Sequence, residues 1–263
     1  MNNQTMNNQA TSNQTVSNQT IELLQNHRVY REFDSSATVP DSQLNDIIKC
    51  AQQAPSWQNG QHYSIINISD KALRQKIVDL QPRNPQIAQC SVFLVFVMDG
   101  YRSYLSSQAY DGSFEGFKDS DTLITLATDT ALAAQNATVA AESLGYATCP
   151  IGGLRMIAND LIELLQLPKY TYPIFGLCIG KPSVEMRLKP RLPKSAVYFD
   201  NQYQVDALPQ MLADYEQTIL AFNEARERKP YRQKFADYYS QPYVAAAEDW
   251  LKAQGFLTKK NNV

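Results

Sequence analysis

LITLATDTALAAQNATVAAESLGYATCPIGGLR, residues Leu123–Arg155, holds the longest helical candidate of the chain, then a strand, then a double-glycine turn. Leu123–Leu144 is Ala-rich, apolar on most of its circumference, and stops at Gly145, a natural C′ residue. A helix apolar nearly all round has to be buried, either at the domain centre or against another subunit. Tyr146–Cys149 reads as a short strand. Downstream, Leu161–Leu167 is a helix stopped by Pro168, and Ile174–Ile179 is an apolar strand. Upstream, Ser91–Met98 is a nearly continuous apolar run, the pattern of a strand buried on both faces. Tyr63–Ile68 is a β-branched strand. Three helices precede or separate these strands: Ile21–Asn26 capped by Thr20, one opened by Asp41 with Leu44, Ile47, Ile48 and Ala51 on one face, and one opened by Asp70 with Leu73, Ile77, Val78 and Leu80. The final third reads as helical over Pro209–Arg226 and Pro242–Gln254, the latter ending before Gly255. Helices alternating with strands indicate a helix-flanked sheet, and no composition shift marks a second domain.

The 263 residues are 44% apolar and 19% charged, enough for one large globular domain. A net charge of −2 argues against a general nucleic-acid binder. No apolar run reaches the roughly 18 residues that a membrane-spanning helix needs. Gln4, Gln9, Gln14 and Gln19 recur every five residues in an Asn/Gln/Ser/Thr tract. Such a tract buries too little apolar surface to offset its ordering entropy, so residues 1–19 are expected to be disordered and 20–263 to form the domain, with a helical excursion from about 205 to 263. The tract lacks the basic start and apolar region of a secretory signal. Cys50, Cys90, Cys149 and Cys178 are dispersed, as expected of reduced cytoplasmic thiols, and two histidines leave little material for a metal site.

No dinucleotide-binding glycine pattern, phosphate-loop lysine, zinc-protease pair or hydrolase nucleophile elbow is present. Three segments stand out instead. His27-Arg28-Val29-Tyr30-Arg31 offers fixed cations that can fork onto a phosphate or a carbonyl pair, and alone fits a solvated basic turn at least as well. Pro150-Ile151-Gly152-Gly153-Leu154-Arg155 lets backbone N–H groups approach a ligand, and alone fits an ordinary tight turn. Lys189-Pro190-Arg191-Leu192-Pro193 presets two cations around a stiff proline, and alone fits a surface linker. Taken together, separated cations and a Gly-Gly turn suit a phosphate-bearing cofactor with a polar ring.

In order and spacing, HRVYREF (27–33), APSWQNGQ (54–61), AAQNATVAAESLG (133–145), PIGGLR (150–155), FGLCIGKP (175–182) and LKPRLP (188–193) resemble the FMN-dependent nitroreductase superfamily, in particular its oxygen-insensitive NADPH nitroreductase and flavin reductase branch. The resemblance implies an α+β fold, a central mainly antiparallel sheet flanked by helices, in an intertwined homodimer with FMN at the subunit interface. It places His27 and Arg28 at the phosphate and ribityl end, Arg31 at the pyrimidine edge, Ser56 and Asn84 beside the ring, and Lys189 and Arg191 on the phosphate. Backbone N–H groups of Ile151, Gly152 and Gly153, following Pro150, would face N5 and O4. Val29 stands where the family often has Ser, Asn84 where Gln is common, and Gln241-Pro242 where relatives can place Arg-Pro.

The implied reaction takes hydride from NADPH, or NADH, to flavin N5 and passes electrons to small acceptors such as nitroaromatics or quinones by a ping-pong scheme. The cofactor carries the chemistry, so no catalytic side chain is required, and a cation at Arg31 stabilises the charge of reduced flavin. Alternatives are a dedicated reductase supplying reduced FMN, and a flavin-binding protein without catalysis. Arg226, Arg228, Lys229 and Arg232, with Lys234, form a basic cluster suited to the 2′-phosphate of NADPH or to a solvated helix end. Trp57 and Gln241 are candidates for the substrate pocket, although Trp57, like Tyr63, reads first as a core aromatic. His62 reads as a hydrogen-bonded structural residue, and the cysteines as small buried hydrophobes, with a redox role open for Cys149.

Overall fold

The computed structural model describes residues 18–224 and 229–258. In chain order the helices and strands are α1 Gln19–Gln25, α2 Asp41–Gln52, β1 Tyr63–Asn67, α3 Lys71–Leu80, α4 Gln86–Gln89, β2 Val92–Asp99, α5 Tyr101–Ala109, α6 Ser120–Ser143, β3 Ala147–Ile151, α7 Ala158–Leu164, β4 Thr171–Gly180, α8 Leu208–Phe222, α9 Tyr231–Tyr239 and α10 Ala247–Ala253. The strands form one sheet in the order β1-β2-β4-β3, every neighbour antiparallel. No helix among the described residues is long and apolar enough to cross a membrane.

All residues of β2 are buried, and the period of two divides them between two cores. Phe93, Val95 and Val97 face Ile77 of α3, Ile87 of α4 and Leu161 of α7. Val92, Leu94 and Phe96 face Ile47 and Ala51 of α2 and Ala134, Ala137 and Ala141 of α6. Alanines on α6 let its axis lie close to the sheet, which is why so long a helix fits across one face. A third cluster, Met98, Phe117, Tyr172 and Phe256, closes one end of the sheet, where Tyr170 N–H donates to Gln254 O at 2.7 Å and so docks the C-terminal segment on the core.

Several boundaries differ from expectation for local reasons. The first helix is capped by Asn18, whose Oδ1 accepts from Ile21 N–H at 3.0 Å, rather than by Thr20. Asp41 is the first helical residue, with Pro40 at the cap position. The helix that begins near Pro209 stops at Phe222 because Asn223 turns left-handed at φ 51°, and its expected end at Arg226 lies outside the described residues. α5 and α9 have no counterpart in the sequence reading, because neither carries a clean apolar stripe. The helix expected over Pro242–Gln254 begins only at Ala247. The disorder expected over residues 1–19 falls outside the described residues except at Asn18 and Gln19, which belong to α1 and its cap.

The all-round apolarity of α6 is resolved in two halves. One face is the core just described; the other leaves Ile124 64% and Leu132 38% exposed, together with Thr128, Ala131 and Gln135.

Candidate functional site

Two of the three segments singled out by sequence meet at β3, and the third is tied to them through the chain that precedes Lys189. Val29 makes a parallel bridge to Thr148, and Tyr30 N–H donates to Thr148 O at 3.0 Å. Phe33 bridges Pro182, so residues 27–33 run between β3 and the chain leaving β4. Arg28 donates Nη1 to Met186 O at 2.9 Å and Nε to Asn26 O at 3.1 Å, fastening this segment to the approach of Lys189. His27 Nδ1 lies 2.8 Å from Glu142 Oε1, which also accepts from Thr148 Oγ1 at 2.6 Å, holding the imidazole at the end of α6. Lys189 pairs with Glu224 at 2.8 Å, and Tyr215 Oη donates to Pro190 O at 3.0 Å, seating the Lys-Pro-Arg stretch on α8.

Arg31 is half-buried and makes no hydrogen bond or ion pair among the described residues; Arg191 is exposed and likewise unpaired there. A guanidinium withdrawn from water without an acceptor is costly, so this arrangement suits an anionic or carbonyl-rich partner.

β3 ends at Ile151 and runs directly into a 3-10 turn, Gly152–Ile157. The opening N–H groups of such a turn have no acceptor within it. At Gly153 a Cβ would stand 2.9 Å from Asn84 Nδ2 and 3.1 Å from Gln81 Nε2. Gln81 Nε2 donates to Gly153 O at 2.9 Å, and Asn84 Oδ1 accepts from Gln86 Nε2 at 3.2 Å. The turn is therefore a cradle of backbone and neutral amides that a side chain would fill. Arg155 reaches beside Gly152 and lies 6.0 Å from the ring of Tyr243, which brings the segment carrying the exposed Gln241 toward the turn.

Ser56 and Trp57 lie elsewhere in the chain. They precede β1, on the opposite edge of the sheet from the Gly-Gly turn, and the two edges are three strand spacings, roughly 14 Å, apart. Ser56 Oγ accepts from Gln61 N–H at 3.1 Å. Trp57 is 59% exposed, so it is not the core aromatic that its composition suggested, whereas Tyr63 is buried. Asp129, Glu142 and Gln81 escaped the sequence reading, and Arg155 entered it only as the end of the Pro150–Arg155 segment. Two of these, Asp129 and Glu142, were visible as carboxylates inside an otherwise apolar helix.

In the basic cluster, Arg226 and Arg228 lie outside the described residues. Lys229 pairs with Asp237 at 2.8 Å, and Arg232 holds Glu216 through Nη2 at 2.9 Å and through its own N–H at 2.9 Å. These bonds hold the Glu216 carboxyl below its ordinary value of 4.5. A lowered folded-state value means that the pair favours the docked α9 at neutral pH and ceases to do so as pH falls through the folded value. Amide exchange at Arg232 N–H is expected to accelerate, beyond its intrinsic pH dependence, as pH falls below the ordinary carboxyl value of 4.5 and through the lowered folded one. Protection that does not change there would show that Glu216 does not hold α9. Among the thiols, burial pushes Cys178 well above its ordinary range, which leaves it a poor nucleophile.

Residues 24–181 match the nitroreductase family and residues 189–259 the C-terminal domain of that family. The chain is 36% identical over 246 residues to the FMN reductase [NAD(P)H] of Bacillus subtilis, covering 91% of this chain and 98% of that protein. It is 36% identical over 248 residues to the oxygen-insensitive NADPH nitroreductase of Salmonella typhimurium, covering 91% and 98%. Among solved structures, NfrA2 of B. megaterium superposes with a TM-score of 0.88 at 33% identity, covering 93% of this chain and all of that one.

Proposed function

The chain belongs to the nitroreductase family, and on that premise we propose that it is an FMN-dependent oxidoreductase that uses NADPH, or NADH, to reduce nitroaromatics, quinones or free flavin. The observation that carries this reading is Arg31, a half-buried cation without a partner among the described residues, in a segment bonded to the strand β3 that leads into the Gly153 cradle. Cations, backbone N–H groups and neutral amides without a competing carboxylate at the turn are the donor set an isoalloxazine and a phosphate require. Bound FMN supplies the redox chemistry, accepting hydride and returning electrons.

The chain's own residues orient and polarise. Arg31 offers positive charge at the pyrimidine edge, and the Ile151–Gly153 N–H groups with Asn84 donate along the ring. Lys189 and Arg191, with His27 and Arg28, take the phosphate and ribityl end. Val29 lends only backbone here, which leaves the phosphate to cations. Two copies pair through the exposed face of α6, and the partner copy brings Ser56 and Trp57, which lie at the far sheet edge of their own chain, to the site. Lys229, held by one exposed ion pair, can exchange Asp237 for the 2′-phosphate of NADPH, with Arg226 and Arg228 beside it in sequence. The protein works in the cytoplasm, where nicotinamide nucleotides and reduced thiols are found.

Because nicotinamide and acceptor need the same open flavin face, initial rates at several fixed acceptor concentrations are expected to give parallel double-reciprocal lines. Intersecting lines would show that both substrates bind together and would overturn the shared pocket. Lys229→Ala is expected to raise KM for NADPH about tenfold while leaving KM for NADH nearly unchanged.

A further inference from the structure

Asp129 lies midway along α6 with its carboxylate 3% exposed. Its bonds all go to one loop: Trp57 N–H donates to Oδ1 at 3.0 Å, while His62 Nδ1 at 2.8 Å and His62 N–H at 3.4 Å both reach Oδ2. Between these anchors the chain takes a path that L residues rarely adopt, with Gln58 at φ 48°, Asn59 at φ 56° and Gln61 at φ 50°. Gly60 is wrapped so closely over the imidazole that a Cβ there would stand 2.1 Å from His62 Cε1.

A buried carboxylate is tolerable only when donors surround it, and here every donor belongs to residues 57–62. The interaction is thus spent on the conformation of that loop. What the loop presents is an indole, 59% exposed, standing between two cavities of about 320 and 240 Å³. The first is walled by Pro55, Ile124 and Leu132, the second by His62, Phe114 and Phe117. A large apolar ring held outward by a strained loop is a feature that stability alone does not favour.

We infer that Asp129 is a positioning residue: it fixes Trp57 as a wall against which planar aromatic acceptors stack at the flavin site of the paired copy. This rests on the reductase reading above. An indole face binds flat aromatic rings through offset stacking, whereas a small inorganic acceptor needs no such wall.

The test uses FMN-loaded protein carrying Trp250→Phe, so that Trp57 is the remaining tryptophan of the two in the chain. Asp129→Asn in this background is expected to raise acrylamide quenching of Trp57 emission. It should raise KM for a nitroaromatic probe such as 4-nitrobenzyl alcohol about tenfold, with kcat held within about twofold. KM for ferricyanide should not move. Trp57→Ala, which leaves Asp129 intact, should reproduce the nitroaromatic KM increase even if Asp129→Asn does not fold. Unchanged quenching in Asp129→Asn would overturn the coupling. An unchanged nitroaromatic KM in Trp57→Ala, or equal increases for both acceptors, would overturn the wall. Wild-type protein that reduces neither acceptor would overturn the reductase reading instead, a result separate from the quenching.

Discussion

Gly153→Val is expected to weaken FMN binding about a hundredfold while leaving the fold intact. The first added carbon would stand 2.9 Å from Asn84 Nδ2 and 3.1 Å from Gln81 Nε2, and two methyls follow it. Both neighbours are the far ends of flexible amides, so they can swing away at little cost to stability. In moving, Gln81 gives up its 2.9 Å bond to Gly153 O, and Asn84 leaves the ring side. Losing the proposed Asn84 bond to the ring, and the Gly153 N–H bond once Gln81 no longer holds the turn, at about 1 to 1.5 kcal/mol each, corresponds to roughly two decades in affinity. Titration of the apoprotein with FMN, followed by flavin fluorescence, measures this directly. Wild-type affinity in the valine variant would show that the cradle is not where the ring sits.

The second large effect is expected on the exposed half of α6. Ile124 and Leu132, 64% and 38% exposed, line the cavity beside Trp57 and lie away from both sheet cores. In a two-fold pair each is buried twice. Replacing both by Glu removes about 1.5 kcal/mol or more per side chain and sets like charges against each other. The dimer dissociation constant should rise on the order of 10⁴-fold, with thermal stability of the chain nearly unchanged. FMN should be lost in parallel if, as proposed, the Ser56 loop reaches each site from the other copy. Sedimentation velocity across a concentration series separates the outcomes. A variant that remains dimeric would place the interface elsewhere, and a monomer that retains FMN would show that one chain completes the site.

The fold was legible wherever one pattern dominated. β2 is apolar at nearly every position because it is covered on both faces, and α6 reads as apolar all round because one half packs on the sheet while the other carries Ile124 and Leu132 on an exposed face. α9 was not legible: Tyr231–Tyr239 scatters its aromatics, and its place is set by Glu216 on α8 rather than by a stripe of its own. At the site, sequence order alone could not show that Val29 lies against Thr148, nor that Asn84 abuts Gly153, since those neighbours are far apart in the chain and are brought together only by the tertiary fold. The bonds from Asp129 to Trp57 and His62, and from Glu142 to His27, span long stretches of chain. Their only local trace is an acid in an apolar helix. The same sheet order separates Ser56, which precedes the edge strand β1, from the candidates beside β3 at the other edge.

The central claim is that these residues hold FMN where NADPH can reduce it. Purified protein loaded with FMN and freed of excess cofactor should carry a visible flavin spectrum. Under anaerobic conditions that spectrum should bleach on addition of about one NADPH per flavin. Protein that retains no FMN, or whose bound flavin stays yellow with NADPH and NADH alike, would contradict the account.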